Sequence, residues 1–354
     1  MMDSIHSICI VRLSAIGDVC HALSAVQQIQ STYPQCRITW VMGKVEAQLL
    51  GDLPGIKVVV FDKKQGFKGM RDVWAELKNH RFDYLLHMQV ALRASILTLG
   101  IKAKTKLGFS WSRAKEGQWL FTNKKLPHTK APHVLDNFAQ FSQFLGCKKQ
   151  SPSWSIPISE KDSTLANELS HQPYVVISPA ASKDERNWLT ERYAQLADHA
   201  YHLGLQVILC GGPTDRERTL ATKIEQAMQS PAINLIGKTS LKQLTAVLKK
   251  AEVVIAPDSG PAHIATTQGT PVIGLYAHSN PHRTGPYNSL GYTVSVYKQV
   301  AEEQYGEPLE NVHWGARVKG SDLMQKIELE QVIEQLERVL VLRSVTVENA
   351  TNQD

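Results

Sequence analysis

No run in the 354-residue sequence approaches the ~20 uninterrupted apolar residues that span a bilayer; the longest, around residues 84–86 and 253–256, are strand-sized. The opening Met-Met-Asp-Ser-Ile-His has neither the basic start nor the apolar core of a secretory leader, so a cytoplasmic protein is expected. Cysteine is scarce. Cys9, Cys20, Cys36, Cys147 and Cys210 are widely spaced, with no C-x-x-C pair, which excludes a disulfide framework and reads as reduced thiols. Cys9 and Cys210 lie inside apolar strand runs and read as small core residues. No G-x-G-x-x-G opens either half, which argues against a nicotinamide or flavin enzyme. Gly237-Lys238-Thr239-Ser240 imitates the end of a P-loop, but its first glycine would fall on Ala232. H-E-x-x-H is absent and the 13 histidines lack zinc-ligand spacing. No Asp-x-Asp pair occurs, so a metal-bridged diphosphate is not supported and no metal is expected. Aromatics make up 7% of the chain and form no nucleic-acid-binding signature, so nucleic acid is not an expected partner.

A chain of this length exceeds what one hydrophobic core normally serves, so two domains are expected. Its net charge of +6 is unevenly spread. Residues 1–150 carry 21 Lys+Arg against 10 Asp+Glu, or +11, and the remainder 18 against 23, or −5. In the first half, strand-like runs at 7–13, 37–42, 57–61, 84–88 and 105–109 alternate with helical patterns such as 19–33 and 70–80. Residues 148–162, with two prolines and four serines, break the pattern and read as the linker. Strand runs then return at 174–178, 206–210, 233–236, 253–256 and 272–276, separated by helical stretches. This predicts an α/β protein of two Rossmann-like domains, closed by an amphipathic helix at 327–342.

In open α/β sheets ligands bind beyond the carboxyl ends of strands, so those loops are the places to look. The first strand runs into Arg12-Leu13-Ser14-Ala15-Ile16-Gly17-Asp18 and straight into a helix. Gly17 allows close backbone approach, and Asp18 is either a helix cap or a general base. In the second half three strand ends carry donors and small residues. Ser182, Lys183 and Arg186 follow the first, Gly211, Gly212 and Glu217 the second, and Ser259, Gly260 and His263 lie in the block Ala-Pro-Asp-Ser-Gly-Pro-Ala-His. Together they outline a nucleotide diphosphate site with Arg186 and helix N-termini as countercharge; ordinary turns and caps are the alternative. The basic residues gather as Lys63, Lys64, Lys68 and Arg71, then Lys102, Lys104 and Lys106, then Lys124, Lys125, His128, Lys130 and His133, which suggests a face for polyanions or anionic headgroups.

The Arg-Leu-Ser-Ala-Ile-Gly-Asp loop and the later Pro-Asp-Ser-Gly-Pro-Ala-His block together resemble the ADP-heptose:lipopolysaccharide heptosyltransferases of glycosyltransferase family 9, over nearly the whole chain. The resemblance implies the GT-B fold, two Rossmann-like domains facing a cleft. Residues 1–155 would bind the acceptor, 156–172 link, 173–325 bind the nucleotide sugar, and 326–354 form a helix returning to the first domain, with a tail. It implies Asp18 as catalytic base and Arg186 as the phosphate-contacting cation, where some members have lysine. Ser182, Glu217, Thr239, Asp258, Ser259, Gly260 and His263 would bind the nucleotide sugar, Asp215 competing with Glu217 for the ribose. Ser14, Gly17, Lys63 and Lys64 would face the acceptor. The implied substrates are ADP-heptose and Kdo-lipid A, used without a tightly bound cofactor by an inverting enzyme peripheral to the cytoplasmic face of the inner membrane. The first-strand loop is closer to type I than to the tryptophan-containing loop of type II. A type II or III enzyme, a nucleotide-sugar 2-epimerase of the same fold and a non-catalytic nucleotide-binding module are the competing readings.

Overall fold

The computed structural model describes residues 5–351, with side chains for 5–343. The chain forms two compact units that meet at Pro157 and Ile158. The first contains six parallel strands, β1 (Ser7–Val11), β2 (Arg37–Gly43), β3 (Ile56–Phe61), β4 (Phe82–His87), β5 (Ala103–Gly108) and β6 (Lys124–Lys125), in the order β3-β2-β1-β4-β5-β6. The second repeats the arrangement with β7 (Tyr174–Ile177), β8 (Gln206–Leu209), β9 (Ile233–Asn234), β10 (Val253–Pro257), β11 (Val272–Tyr276) and β12 (Val294–Ser295), in the order β12-β11-β10-β7-β8-β9. Both orders are doubly wound, as the α/β expectation requires. In each the strand sequence reverses beside the first strand, between β1 and β4 and between β7 and β10, where such sheets open a crevice.

The central strands show why the pattern was readable. Ser-Ile-Cys-Ile-Val in β1 and Val-Val-Ile-Ala-Pro in β10 are buried along their whole length, as strands covered by helices on both faces must be. Cys9 and Cys210 are fully buried among them. Edge strand β3 mixes buried Ile56, Val59 and Phe61 with exposed Lys57 and Val60. The outermost strands β6, β9 and β12 have two residues each, too few to show a period, and β6 and β12 escape a sequence reading.

The linker expectation changes in detail. Ser153–Ser155 lie along the helix Ile16–Thr32: Trp154 Nε1 donates to Cys20 O at 2.8 Å, and Ser155 N donates to Gln27 Oε1 at 2.9 Å. They therefore belong to the first unit. Residues expected to continue the linker form the helix Glu160–Leu169 in the second unit, capped by Ser159, whose Oγ accepts from Asp162 N at 3.1 Å, and packed on the helix Leu241–Lys250. The connection is thus a few residues long. In the helix Leu329–Thr351, Val332, Leu336 and Val339 are buried in the second unit's core with Tyr193, Leu196 and Val253, while Trp188 Nε1 donates to Ile327 O at 2.9 Å. The described apolar face of that helix is therefore spent on the domain that precedes it. No helix among the described residues is long and apolar enough to cross a membrane.

Candidate active site

Asp18 lies in the first turn of the helix Ile16–Thr32, directly beyond the carboxyl end of β1. The helix-cap reading of it is present in the geometry. Its Oδ2 accepts from Ala15 N at 3.3 Å, which caps the helix, and it pairs with the Arg12 guanidinium. The carboxylate remains 35% exposed, so a substrate hydroxyl can reach it. Arg12 is buried, donates from Nη1 to Met88 O at 2.8 Å, and lies over the Phe138 ring. Beside it Gln89 Oε1 accepts from Leu13 N at 2.6 Å. Asp18 is thereby fixed to the end of β4, across the switch point. Ser14 and Gly17 flank it in the same loop.

Gly43 closes the next strand end. Its N–H donates to Leu13 O at 2.8 Å, and a Cβ would fall 2.5 Å from that oxygen, so only glycine fits. This turn brings in Glu46, a buried carboxylate that no motif had marked. Burial pushes Glu46 upward, only partly offset by its own backbone N–H and by the Lys63 and Arg12 charges, and Asp18 adds to the rise. Lys63 thus belongs to the same electrostatic neighbourhood, and Lys64 sits exposed on the same short turn, Lys63–Gln65. The other basic clusters divide. Lys104 pairs with Asp83 at 2.8 Å, Lys106 donates to Thr98 O at 2.6 Å, and His133 is a buried N-cap accepting from Leu135 N at 3.1 Å. These three serve the fold.

The second unit gathers its groups around β7 and β10. Arg186, in the turn Asp184–Arg186, is only 8% exposed, and its Nε has no hydrogen-bond partner among the described residues. Burial and the Arg317 charge lower its pKa, while Asp258 and Glu185 oppose the change. Asp258 accepts from Ser279 Oγ at 2.8 Å and Thr284 Oγ1 at 3.4 Å, and lies 3.5 Å from His263 Nε2. Burial pushes Asp258 up, but His263, Ser279 and the Arg317 charge outweigh it and hold the carboxyl below its ordinary range. Ser259 precedes the helix Gly260–Thr267, which has proline in its first turn; its Oγ is buried and also lacks a partner among the described residues. The sequence missed Ser279 and Arg317. Ser279 follows β11, so the strand-end rule could have found it; Arg317, in an isolated bridge with Ser279, comes from a segment with no motif.

The remaining residues sit beside this group with mixed roles. Ser182 is exposed on the loop after β7, which Arg216 pins by donating to Asp184 Oδ1 at 2.7 Å and Ala181 O at 2.6 Å. Glu217 accepts from Gly212 N at 2.5 Å and Thr214 Oγ1 at 3.1 Å. It therefore holds the Gly211-Gly212 turn, and its remaining lone pairs are what a ribose could use. Asp215 opens the same helix, Asp215–Ala227, exposed. Thr239, half-buried, stands just before Ser240, which caps the helix Leu241–Lys250.

Comparison with known proteins gives the chain's fold and lineage. Residues 70–313 match the profile of glycosyltransferase family 9 (heptosyltransferase). The chain is 49% identical to the lipopolysaccharide core heptosyltransferase OpsX of Haemophilus influenzae, covering 94% of this chain and 96% of that one. It is 25% identical to lipopolysaccharide heptosyltransferase 1 of Escherichia coli K12, covering 78% and 90%. Among solved structures, a family 9 glycosyl transferase of Veillonella parvula superposes with a TM-score of 0.81 at 24% identity, covering 96% and 99%. The E. coli ADP-heptose heptosyltransferase II superposes with 0.74 at 20%, covering 96% and 99%. These superpositions establish the fold, which is GT-B, and the sequence matches establish the lineage: the chain belongs to glycosyltransferase family 9, the heptosyltransferases.

Proposed function

We propose that this glycosyltransferase moves L-glycero-D-manno-heptose from ADP-heptose to Kdo of Kdo-lipid A, adding the first heptose of the lipopolysaccharide core. The observation that carries the donor assignment is the pair of buried, unsatisfied donors Arg186 Nε and Ser259 Oγ beside Asp258 and a helix N-terminus. Buried polar atoms without partners are rare in folded proteins, and here two lie at the strand ends where a diphosphate would sit. The acceptor assignment rests on the 49% identity to a lipopolysaccharide core enzyme, and the type I reading on a first-strand loop without tryptophan.

In the reaction, Asp18 takes the proton of the acceptor hydroxyl as its oxygen bonds to the anomeric carbon of the heptose. The bond from that carbon to the diphosphate breaks with its electron pair, so ADP leaves and the configuration inverts. Arg12 holds the Asp18 carboxylate in place during attack. Charge gathers on the departing diphosphate, where Arg186, Arg317 and the N–H groups of the helix Gly260–Thr267 supply the countercharge; one such donor is worth ~3 kcal/mol. Ser182, Glu217, Thr239 and His263 would orient the rest of the donor, and Ser14, Gly17, Lys63 and Lys64 the acceptor. No resident metal takes part, and the enzyme works peripherally at the cytoplasmic face of the inner membrane.

The test incubates the full chain with ADP-heptose and Kdo-lipid A, with and without chelator, following ADP release and the mass of the lipid. Transfer should depend on acceptor and persist with chelator. Asp18→Asn should lower kcat by roughly 100-fold or more, as loss of a general base does. Undiminished transfer by that variant would remove the base assignment. ADP release without acceptor, a preference for a UDP-sugar, or use only of an acceptor already bearing heptose would replace the proposed reaction with another.

A further inference from the structure

Beyond the carboxyl end of β5, at the same end of the parallel sheet as Asp18, the chain exposes apolar surface that the proposed reaction does not use. Trp111 is 64% exposed, Leu120 68% and Trp119 41%. The two indoles lie against each other with centroids 5.3 Å apart, and Lys125 Nζ sits 4.3 Å from the Trp111 centroid. The platform is held rigidly from below. Gln118, buried, donates from Nε2 to His87 O at 2.8 Å and to Gln89 O at 3.1 Å, and its Oε1 accepts from Phe109 N at 3.2 Å. Gly117 turns the chain into it in the left-handed region, φ +70°. Glu116, the one carboxylate of residues 111–130, is spent on Leu92 N at 2.7 Å, against five cations in the same stretch.

Solvent alone gives no reason to present two tryptophans and a leucine on a fixed turn, because exposing them forgoes the gain from burying them. Indole rings prefer the boundary between lipid tails and water, and lysines beside them favour an anionic headgroup layer. We infer that Trp111, Trp119 and Leu120, with Lys125 against Trp111 and the exposed Lys115 and Lys124 of the same segment, form the element that docks this enzyme on an anionic lipid surface, the aromatic side chains entering the headgroup region and the lysines pairing with lipid phosphates. The inference deepens the proposed function, since it rests on the acceptor being lipid-linked. It also gives the basic first domain a defined point of contact. Gln118 and Gln89 join the platform to the loop of Asp18, so the proposed base stands at the same end of the sheet as the docking element.

The test measures co-sedimentation of the full chain with vesicles of phosphatidylethanolamine and phosphatidylglycerol, and with phosphatidylcholine alone, without donor or acceptor, so that it reads docking whether or not heptosyl transfer is the reaction. The wild type should bind the anionic vesicles and be quenched by bromine-labelled lipid. Trp111→Ser with Leu120→Ser should lose roughly tenfold or more in partition while keeping turnover on a deacylated, water-soluble acceptor. Lys124→Glu, an exposed charge reversal, should weaken partition in the same direction. The inference is overturned if the wild type binds neither vesicle, or if both variants partition as the wild type does. It is equally overturned if the double variant loses turnover on the deacylated acceptor with partition unchanged, which would make the platform a sugar-stacking surface.

Discussion

Arg186 meets two opposing demands at once. It is buried, which costs a guanidinium solvation, and it lies beside a second cation, Arg317, which costs more. Such a position is stable when an anion completes it, so the residue should matter most with donor bound. Arg186→Ala is expected to lower kcat/KM for ADP-heptose by roughly 100-fold, and Arg186→Lys to recover part of that, because lysine restores charge without the planar fork. Steady-state kinetics at varied ADP-heptose read both, and a lysine variant no better than alanine would show that geometry rather than charge carries the role. Glu46 gives the residue-scale pH prediction. Its folded pKa is raised by burial, so between the ordinary glutamate range and that raised value the native state binds more protons than the unfolded chain. Stability from this group is therefore present in acid and lost as pH rises through that window. Glu46→Gln, uncharged throughout, should have the higher Tm at neutral pH, with the difference from wild type closing as pH falls below the ordinary range. A Tm difference that does not change with pH would contradict it.

Elements were legible in the sequence where burial was two-sided and long, and illegible where they were short. β1, β7 and β10 are continuous apolar runs whose Asp18, Arg186 and Asp258 loops follow, so strand and candidate loop could be read together. β6 and β12 are two-residue edges whose hydrogen bonds carry no side-chain pattern. Arg317 and Glu46 each join the candidate group of their own domain through folding alone: one arrives on an isolated bridge to Ser279, the other on a helix behind Gly43. The helix Glu160–Leu169 was missed because it buries only Ala166 and so has almost no apolar stripe. What it has is a capping signal, Ser159 followed three residues later by Asp162. With so little buried surface, that cap should carry an unusual share of its stability. Ser159→Ala is expected to cost about 1 kcal/mol, measured by chemical denaturation, with faster amide exchange confined to this helix. Unchanged exchange there would mean that packing on the helix Leu241–Lys250 suffices.

At the scale of the molecule, the proposed function has the +11 and −5 halves bind anions by different physics. The proposed attraction of the first domain to a charged lipid layer would sum over many exposed lysines and act across solvent, where salt screens it beyond ~8 Å at physiological ionic strength. The second domain would have no such long-range pull; on the proposed reading its net charge would repel ADP-heptose until the diphosphate is within reach of Arg186 and the helix N-terminus. Those contacts are short and partly buried, so screening touches them little, and salt also weakens the repulsion that opposes them. The two affinities should therefore separate when ionic strength alone is changed. Raising salt from about 0.05 M to about 0.3 M should lower vesicle partition by roughly tenfold or more while shifting the Kd for ADP, by calorimetry, less than roughly threefold. If ADP affinity fell as steeply as vesicle binding, the donor site would be drawing on the general field of the protein, and the locally placed cations could not be what holds the diphosphate.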